Sequence, residues 1–126
     1  MSDSMSSCGD DADILATFIT QLEALRSMTQ GRNIDGRSLL QHFLEAQQLY
    51  QTQLLPLMAA SPAAAGFVSY QTEINRALRL LGLDVAFLQS AKQSLTQQKR
   101  QSQMLERLNT LLEFCNGLRT AISEAE

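Results

Sequence analysis

Apolar residues along this chain recur at steps of three and four, and no stretch alternates apolar with polar as a half-buried strand does. That period predicts helices throughout. Ile14, Phe18, Leu22 and Leu25 step by four, four and three, with Leu15 and Ile19 widening the stripe. This first helix follows the acidic run Asp10, Asp11 and Asp13, whose carboxylates oppose the positive end of a helix dipole, and ends near Gln30 with Gly31 as C-cap. Asp35 is the expected cap of a second helix carrying Leu39, Leu40, Phe43, Leu44, Tyr50, Leu54 and Leu55. Pro56 lacks an amide proton and its ring crowds the preceding turn, so this helix is expected to end or kink near Leu55. Ser61-Pro62 reads as the N-cap and first position of a third helix.

From Phe67 onward Tyr70, Ile74, Leu78, Leu81, Val85 and Leu88 keep nearly heptad spacing, and Ala77, Leu80, Leu83 and Phe87 form a second row. A helix apolar over so much of its circumference needs more than one covering partner. Ser94, Leu95 and Thr96 hold the only turn chemistry before the fourth helix, with Thr96 its expected cap. There Met104, Leu108, Leu111, Cys115, Leu118 and Ile122 alternate steps of four and three; Gly117 is a minor interruption.

Four helices with short links predict an all-α fold, an antiparallel up-and-down four-helix bundle with a long C-terminal helical hairpin. With 126 residues there is room for one sizeable core. The polar residues 1–9 are expected to be a disordered tail, and residues 10–126 a single helical-bundle domain. If the first two helices are shorter than the hairpin, its far end stays uncovered and offers a dimer or partner surface.

Composition narrows the function classes. A net charge of −3 argues against general nucleic-acid binding, which requires a concentrated basic footprint. Cys8 and Cys115 form neither a disulfide framework nor a metal motif, the N-terminus has no secretory signal pattern, and no apolar run approaches a membrane span, so a cytoplasmic location is expected. Fourteen glutamines, several clustered near residues 47–53 and 97–103, suit polar helix faces. The stretch from Tyr70 to Leu112 carries six cations against three anions, +3 within a chain of −3. Arg76, Arg79, Lys92, Lys99 and Arg100 are therefore the candidate partner-binding residues, poised for an acidic peptide or surface.

Candidate chemistry is sparse. His42 is the only histidine and has no Glu-x-x-His companion on a second helix; Cys115 sits in an apolar seam; the acidic cluster lacks the glycine and terminal glutamate of a calcium loop. Residues Gly31 to Arg37, with two glycines and two arginines, lack the Gly-Lys-Ser/Thr ending of a phosphate cradle. No catalytic residue, metal or cofactor is expected. The anomaly is Asp84, whose neighbours one turn away are Leu80, Leu81, Phe87 and Leu88. Buried without a partner it would cost several kcal/mol. It must therefore reach solvent, hold its proton, or meet a donor, for which Tyr50, Arg26, Arg107 and a helix N-terminus are the candidates. We expect a structural polar contact that sets helix register. A ligand site built from Asp84, His42 and Tyr50 would require the three to meet.

The segment from Ser69 to Leu118 resembles the cyanobacterial heterocyst frequency control protein family (PatD-like). The likeness rests on Tyr70, Glu73, Ile74, Leu78, Arg79, Leu80, Leu81, Asp84, Val85, Phe87, Leu88 and Gln89, then on Arg107, Leu108, Leu111 and Cys115, with a fainter echo over residues 47–57. Residues 1 to about 12 fall outside the pattern, and Gly82 stands where a larger residue is expected. The resemblance implies a small non-enzymatic helical protein that binds the tubulin-like division protein FtsZ and modulates its assembly, linking division to heterocyst frequency in filamentous cyanobacteria. The alternative from another class is a helical homo-oligomer or adaptor that pairs through its long hairpin.

Overall fold

The structure is a computed structural model and describes residues 7–31, 33–90 and 94–125. These residues form α1 (Ser7–Gln30), α2 (Gly36–Leu49), a π-helical segment (Tyr50–Leu54), α3 (Leu55–Ala60), a 3-10 turn (Ala64–Phe67), α4 (Val68–Ser90) and α5 (Ser94–Ala125), with no strand among them. α2, the π segment and α3 run on as one rod, so four rods make the bundle. α1 packs on α2 and α5, and α4 packs on α2 and α5.

Cross-helix partners fix the directions. Arg26 of α1 meets Asn109 of α5, and Gly31 meets Gln101. Asp84 of α4 meets Arg107 of α5, and Tyr70 meets Gly117. Gly36 of α2 meets Gln89 of α4, and Phe43 meets Gly82. In each pair one chain number rises as the other falls, so neighbouring rods run in opposite directions. The stripes read from spacing become a single core, in which Leu15, Phe18, Leu22, Leu25, Leu39, Tyr50, Leu54, Ile74, Leu81, Val85, Met104, Leu108, Leu111, Cys115 and Leu118 are fully buried. Burial of each large apolar side chain contributes about 1.5–3 kcal/mol, and this seam is the main stabilising term.

The helix ends depart from expectation in instructive ways. α1 begins at Ser7, so the acidic run lies inside its first turns; residues 1–6 of the expected tail lie outside the described residues. Gly31 follows the last turn of α1, but the free carbonyls there are covered by α5: the Gln101 amide donates to Thr29 O and, at 3.1 Å, to Gly31 O. Asp35 does cap α2, accepting from the Arg37 amide at 3.2 Å and the Ser38 hydroxyl at 2.9 Å. These bonds favour its ionised form and hold its carboxyl below the usual range.

Pro56 does not end the rod. The preceding turn widens instead, with the Leu55 amide bonding to the Tyr50 carbonyl five residues back, and Pro56 enters the first turn of α3, where a missing amide proton is harmless. Ser61-Pro62 does not start the third rod. The Ser61 hydroxyl accepts from the Ala63 amide at 3.1 Å and the Ser61 carbonyl from the Ala64 amide at 3.0 Å, a turn that passes through the 3-10 segment before α4 begins at Val68. α5 starts at Ser94, which places Thr96 inside the helix rather than at its cap.

Two glycines are close-approach sites. A Cβ on Gly117 would stand 2.8 Å from Tyr70 Cε1, so Gly117 seats the Tyr70 ring and is not a minor interruption. A Cβ on Gly82 would stand 3.2 Å from Phe43 Cζ, which explains the small residue in mid-helix: Phe43 of α2 takes the room a side chain would fill.

Candidate functional site

Asp84 is 1% exposed and its Oδ2 accepts from Arg107 Nε at 2.6 Å, the one ion pair among the described residues. Arg107 was one of four candidate donors. Of the others, Arg26 donates to Asn109 at 3.1 Å, and the Tyr50 hydroxyl is buried without a partner among the described residues. Burial pushes the Asp84 carboxyl up from its ordinary value, opposed by the Arg107 hydrogen bond, the Arg107 charge and, more weakly, the Arg100 charge. Arg107 reaches this carboxylate from the surface, its side chain 35% exposed.

Beyond Asp84 the α4/α5 seam opens into a groove of about 360 Å3, lined by Ala77, Leu80 and Phe114 with Glu73, Arg76, Glu106, Arg107 and Thr110. Leu83 and Phe87, 54% and 44% exposed, stand three and seven residues past Leu80 and continue its row along α4 toward the hairpin end. There the Arg100 guanidinium lies 4.0 Å from the centroid of the Phe87 ring and donates to Gln103 Oε1 at 3.1 Å. Arg100 is thus held over an aromatic face rather than waving in solvent. The first turn of α5 carries no buried side chain, with Leu95 77% exposed.

The candidate partner-binding residues do not share one face. Arg76 lines the α4/α5 groove, whereas Arg79 lines a separate depression against α2 with Gln47, Gln51, Asn75 and Leu78. Lys99 is exposed and Arg100 half-buried near the hairpin turn. Lys92 lies outside the described residues. Arg107, Leu80 and Phe114 of the groove were not among the candidates. Their signal was present in part, since Arg107 sits seven residues after Arg100, on the same helix face.

The groups that would make a ligand site do not converge. His42 is exposed, its Nδ1 2.8 Å from the Ser38 carbonyl; Tyr50 is buried with its ring 5.4 Å from that of Phe18; Asp84 is taken up by Arg107. Burial pushes the Cys115 thiol up to about 12, so it stays protonated at neutral pH as a small core group. No cluster of three or more His, Cys, Asp or Glu able to hold a metal is found among the described residues, and no helix there is long and apolar enough to cross a membrane. No family model, curated protein or solved structure matches this chain.

Proposed function

We propose that this chain is a non-enzymatic regulatory protein that docks on a protein partner through the outer face of α4 and α5, and that the partner is FtsZ, whose assembly it modulates in the control of cell division or heterocyst frequency. The observation that carries the docking face is the open groove, whose apolar floor of Ala77, Leu80 and Phe114 is left uncovered by α1 and α2 and rimmed by charges of both signs. FtsZ itself rests on the resemblance. Glu73, Leu80 and Arg107, which belong to that likeness, line the groove, and Phe87 extends it. Of the other residues of the likeness, Ile74, Leu78, Leu81, Val85, Leu88, Leu108, Leu111 and Cys115 are the core behind it. A cytoplasmic location follows from that partner.

Sedimentation of FtsZ with GTP, with and without this protein, is the direct test. A change in pelleted polymer together with co-sedimentation is expected; unchanged polymer and no measurable binding would sink the FtsZ assignment. A second reading, self-pairing through the hairpin, is favoured by the exposed Leu83 and Leu95 near its turn. Light scattering that finds a strict monomer at high concentration excludes it.

A further inference from the structure

The groove has a polarity, and that polarity specifies what fits it. At one end Glu73, Arg76 and Glu106 line the rim, the carboxylates outnumbering the cation. At the hairpin end neither Arg100 nor the exposed Lys99 makes an ion pair among the described residues, and the carboxylate whose charge Arg100 feels, Asp84, is already held by Arg107. Arg107 uses only Nε on Asp84, and no acceptor among the described residues takes its terminal amino groups, which leaves them to the groove. Arg100 spends one terminal amino group on Gln103 and keeps its other donors. Two guanidinium forks, each fixed by its own anchor, therefore point along one face of α5 seven residues apart, about 10 Å at 1.5 Å per residue. Between and beside them lie Leu80, Leu83 and Phe87.

We propose that this face is a receptor for an acidic amphipathic helix of a protein partner, with carboxylates at positions i and i+7 meeting Arg100 and Arg107 and apolar side chains at i+3 and i+4 set against Leu80, Leu83 and Phe87. Two carboxylates seven residues apart on a helix lie on one face at the same spacing as the two forks. A planar fork held in place loses little freedom on binding a carboxylate, and stacking on Phe87 shields Arg100 from water, both of which favour charge-assisted pairing. The inference rests on the reading of α4/α5 as a docking face and names the chemistry of its occupant.

The test uses the full chain and three labelled helix-forming peptides, read by fluorescence anisotropy. One carries glutamates at i and i+7 with leucines at i+3 and i+4, one replaces both glutamates by glutamine, and one moves the second glutamate to i+5. The first is expected to bind at least about tenfold more tightly than the other two, a preference that added salt weakens. Arg100→Gln should abolish the preference and Arg100→Lys retain part of it, both with unchanged thermal melting. Equal binding of the glutamine peptide, no binding of any peptide at millimolar concentration, or a preference that survives Arg100→Gln overturns the proposal. Self-association of the chain that Arg100→Gln dissolves would assign the face to a second copy, and so also overturns it. Running FtsZ in parallel separates the two readings. Peptide preference without FtsZ binding leaves the receptor standing and removes FtsZ; FtsZ binding untouched by Arg100→Gln, with no peptide bound, does the reverse.

Discussion

The two halves of the bundle treat buried polar groups in opposite ways. In the α4–α5 half the buried carboxylate of Asp84 has a guanidinium 2.6 Å away. In the half made by α1 and the α2 rod three buried side-chain atoms, Asp11 Oδ1, Gln21 Oε1 and the Tyr50 hydroxyl, have no hydrogen-bond partner among the described residues. The first half defines its register by a directional contact between helices, because only one alignment of α4 on α5 brings Arg107 to Asp84. The second is held by apolar packing around Phe18, Leu22, Leu39 and Tyr50, which rewards close fit but tolerates unpaired groups at a cost of about 1–3 kcal/mol each. Removing a polar group should therefore harm one half and relieve the other.

The largest effect should come from Arg107→Ala, which leaves a buried carboxylate alone; with Arg107 partly solvated, we expect a loss of about 3 kcal/mol in urea unfolding at neutral pH. Asp84→Leu should cost much less, because it removes the charge that needed a partner and frees Arg107 to water. If both variants lose stability equally, the ion pair contributes more than burial takes away. Gly117→Ala comes next. The clash with Tyr70 should outweigh the gain in helix propensity of about 1 kcal/mol, for a net loss of about 1–2 kcal/mol in thermal melting. Gly82→Ala, against the looser Phe43 contact, should be near neutral.

Asp84→Asn reads the same contact by pH. Burial raises the folded-state pKa of Asp84 above its unfolded value, so the folded chain holds this proton longer. The stability this contributes is fully present below the ordinary carboxylate range and is lost as pH rises through the folded pKa. The penalty for Asp84→Asn should accordingly be larger near pH 3.5 than at pH 7, measured by urea midpoints at both. A penalty that grows toward pH 7 would mean that Arg107 lowers the carboxyl more than burial raises it. In the other half, Tyr50→Phe should stabilise by about 1 kcal/mol, since it deletes a buried hydroxyl with no partner among the described residues. Asp11 is raised by burial and by the charge of Asp10, and carries the same sign of pH dependence. Asp11→Asn should therefore leave stability at pH 7 unchanged or higher by up to about 1 kcal/mol, net of a lost helix-dipole term. Losses from Tyr50→Phe and Asp11→Asn would break the contrast between the halves.

The groove shows how far one-dimensional reading reaches. The steps of α4 and α5 picked out Ile74, Leu78, Leu81, Val85 and Leu88, and Met104, Leu108, Leu111 and Cys115, all of which are buried, because a helix face repeats at a known period. The same period marked Ala77, Leu80, Leu83 and Phe87 as a second row and asked for another partner helix. No helix among the described residues fully covers that row, and only the arrangement of rods reveals its Ala77 and Leu80 as a groove wall. Charge density pointed to the segment around Arg76 and Lys99, yet density is not direction: Arg79 faces α2 and Arg100 stacks on Phe87.

Periodicity, capping residues and the scarcity of proline determined, within the sequence itself, that this chain is helical, where three of its four rods begin to within a few residues, and most of the positions that enter the core. These are local properties, decided by a residue and its neighbours three and four positions away. Tertiary structure alone decided the rest. It widened a turn so that Pro56 bends no rod to a stop, used Gln101 to close the end of α1, and made Gly82 and Gly117 into seats for Phe43 and Tyr70. It also chose Arg107 from four donors for Asp84 and left the Tyr50 hydroxyl with no partner among the described residues. Each of those outcomes depends on the distance between residues far apart in the chain, a quantity set by the packing of rods against one another and carried by no short stretch of sequence.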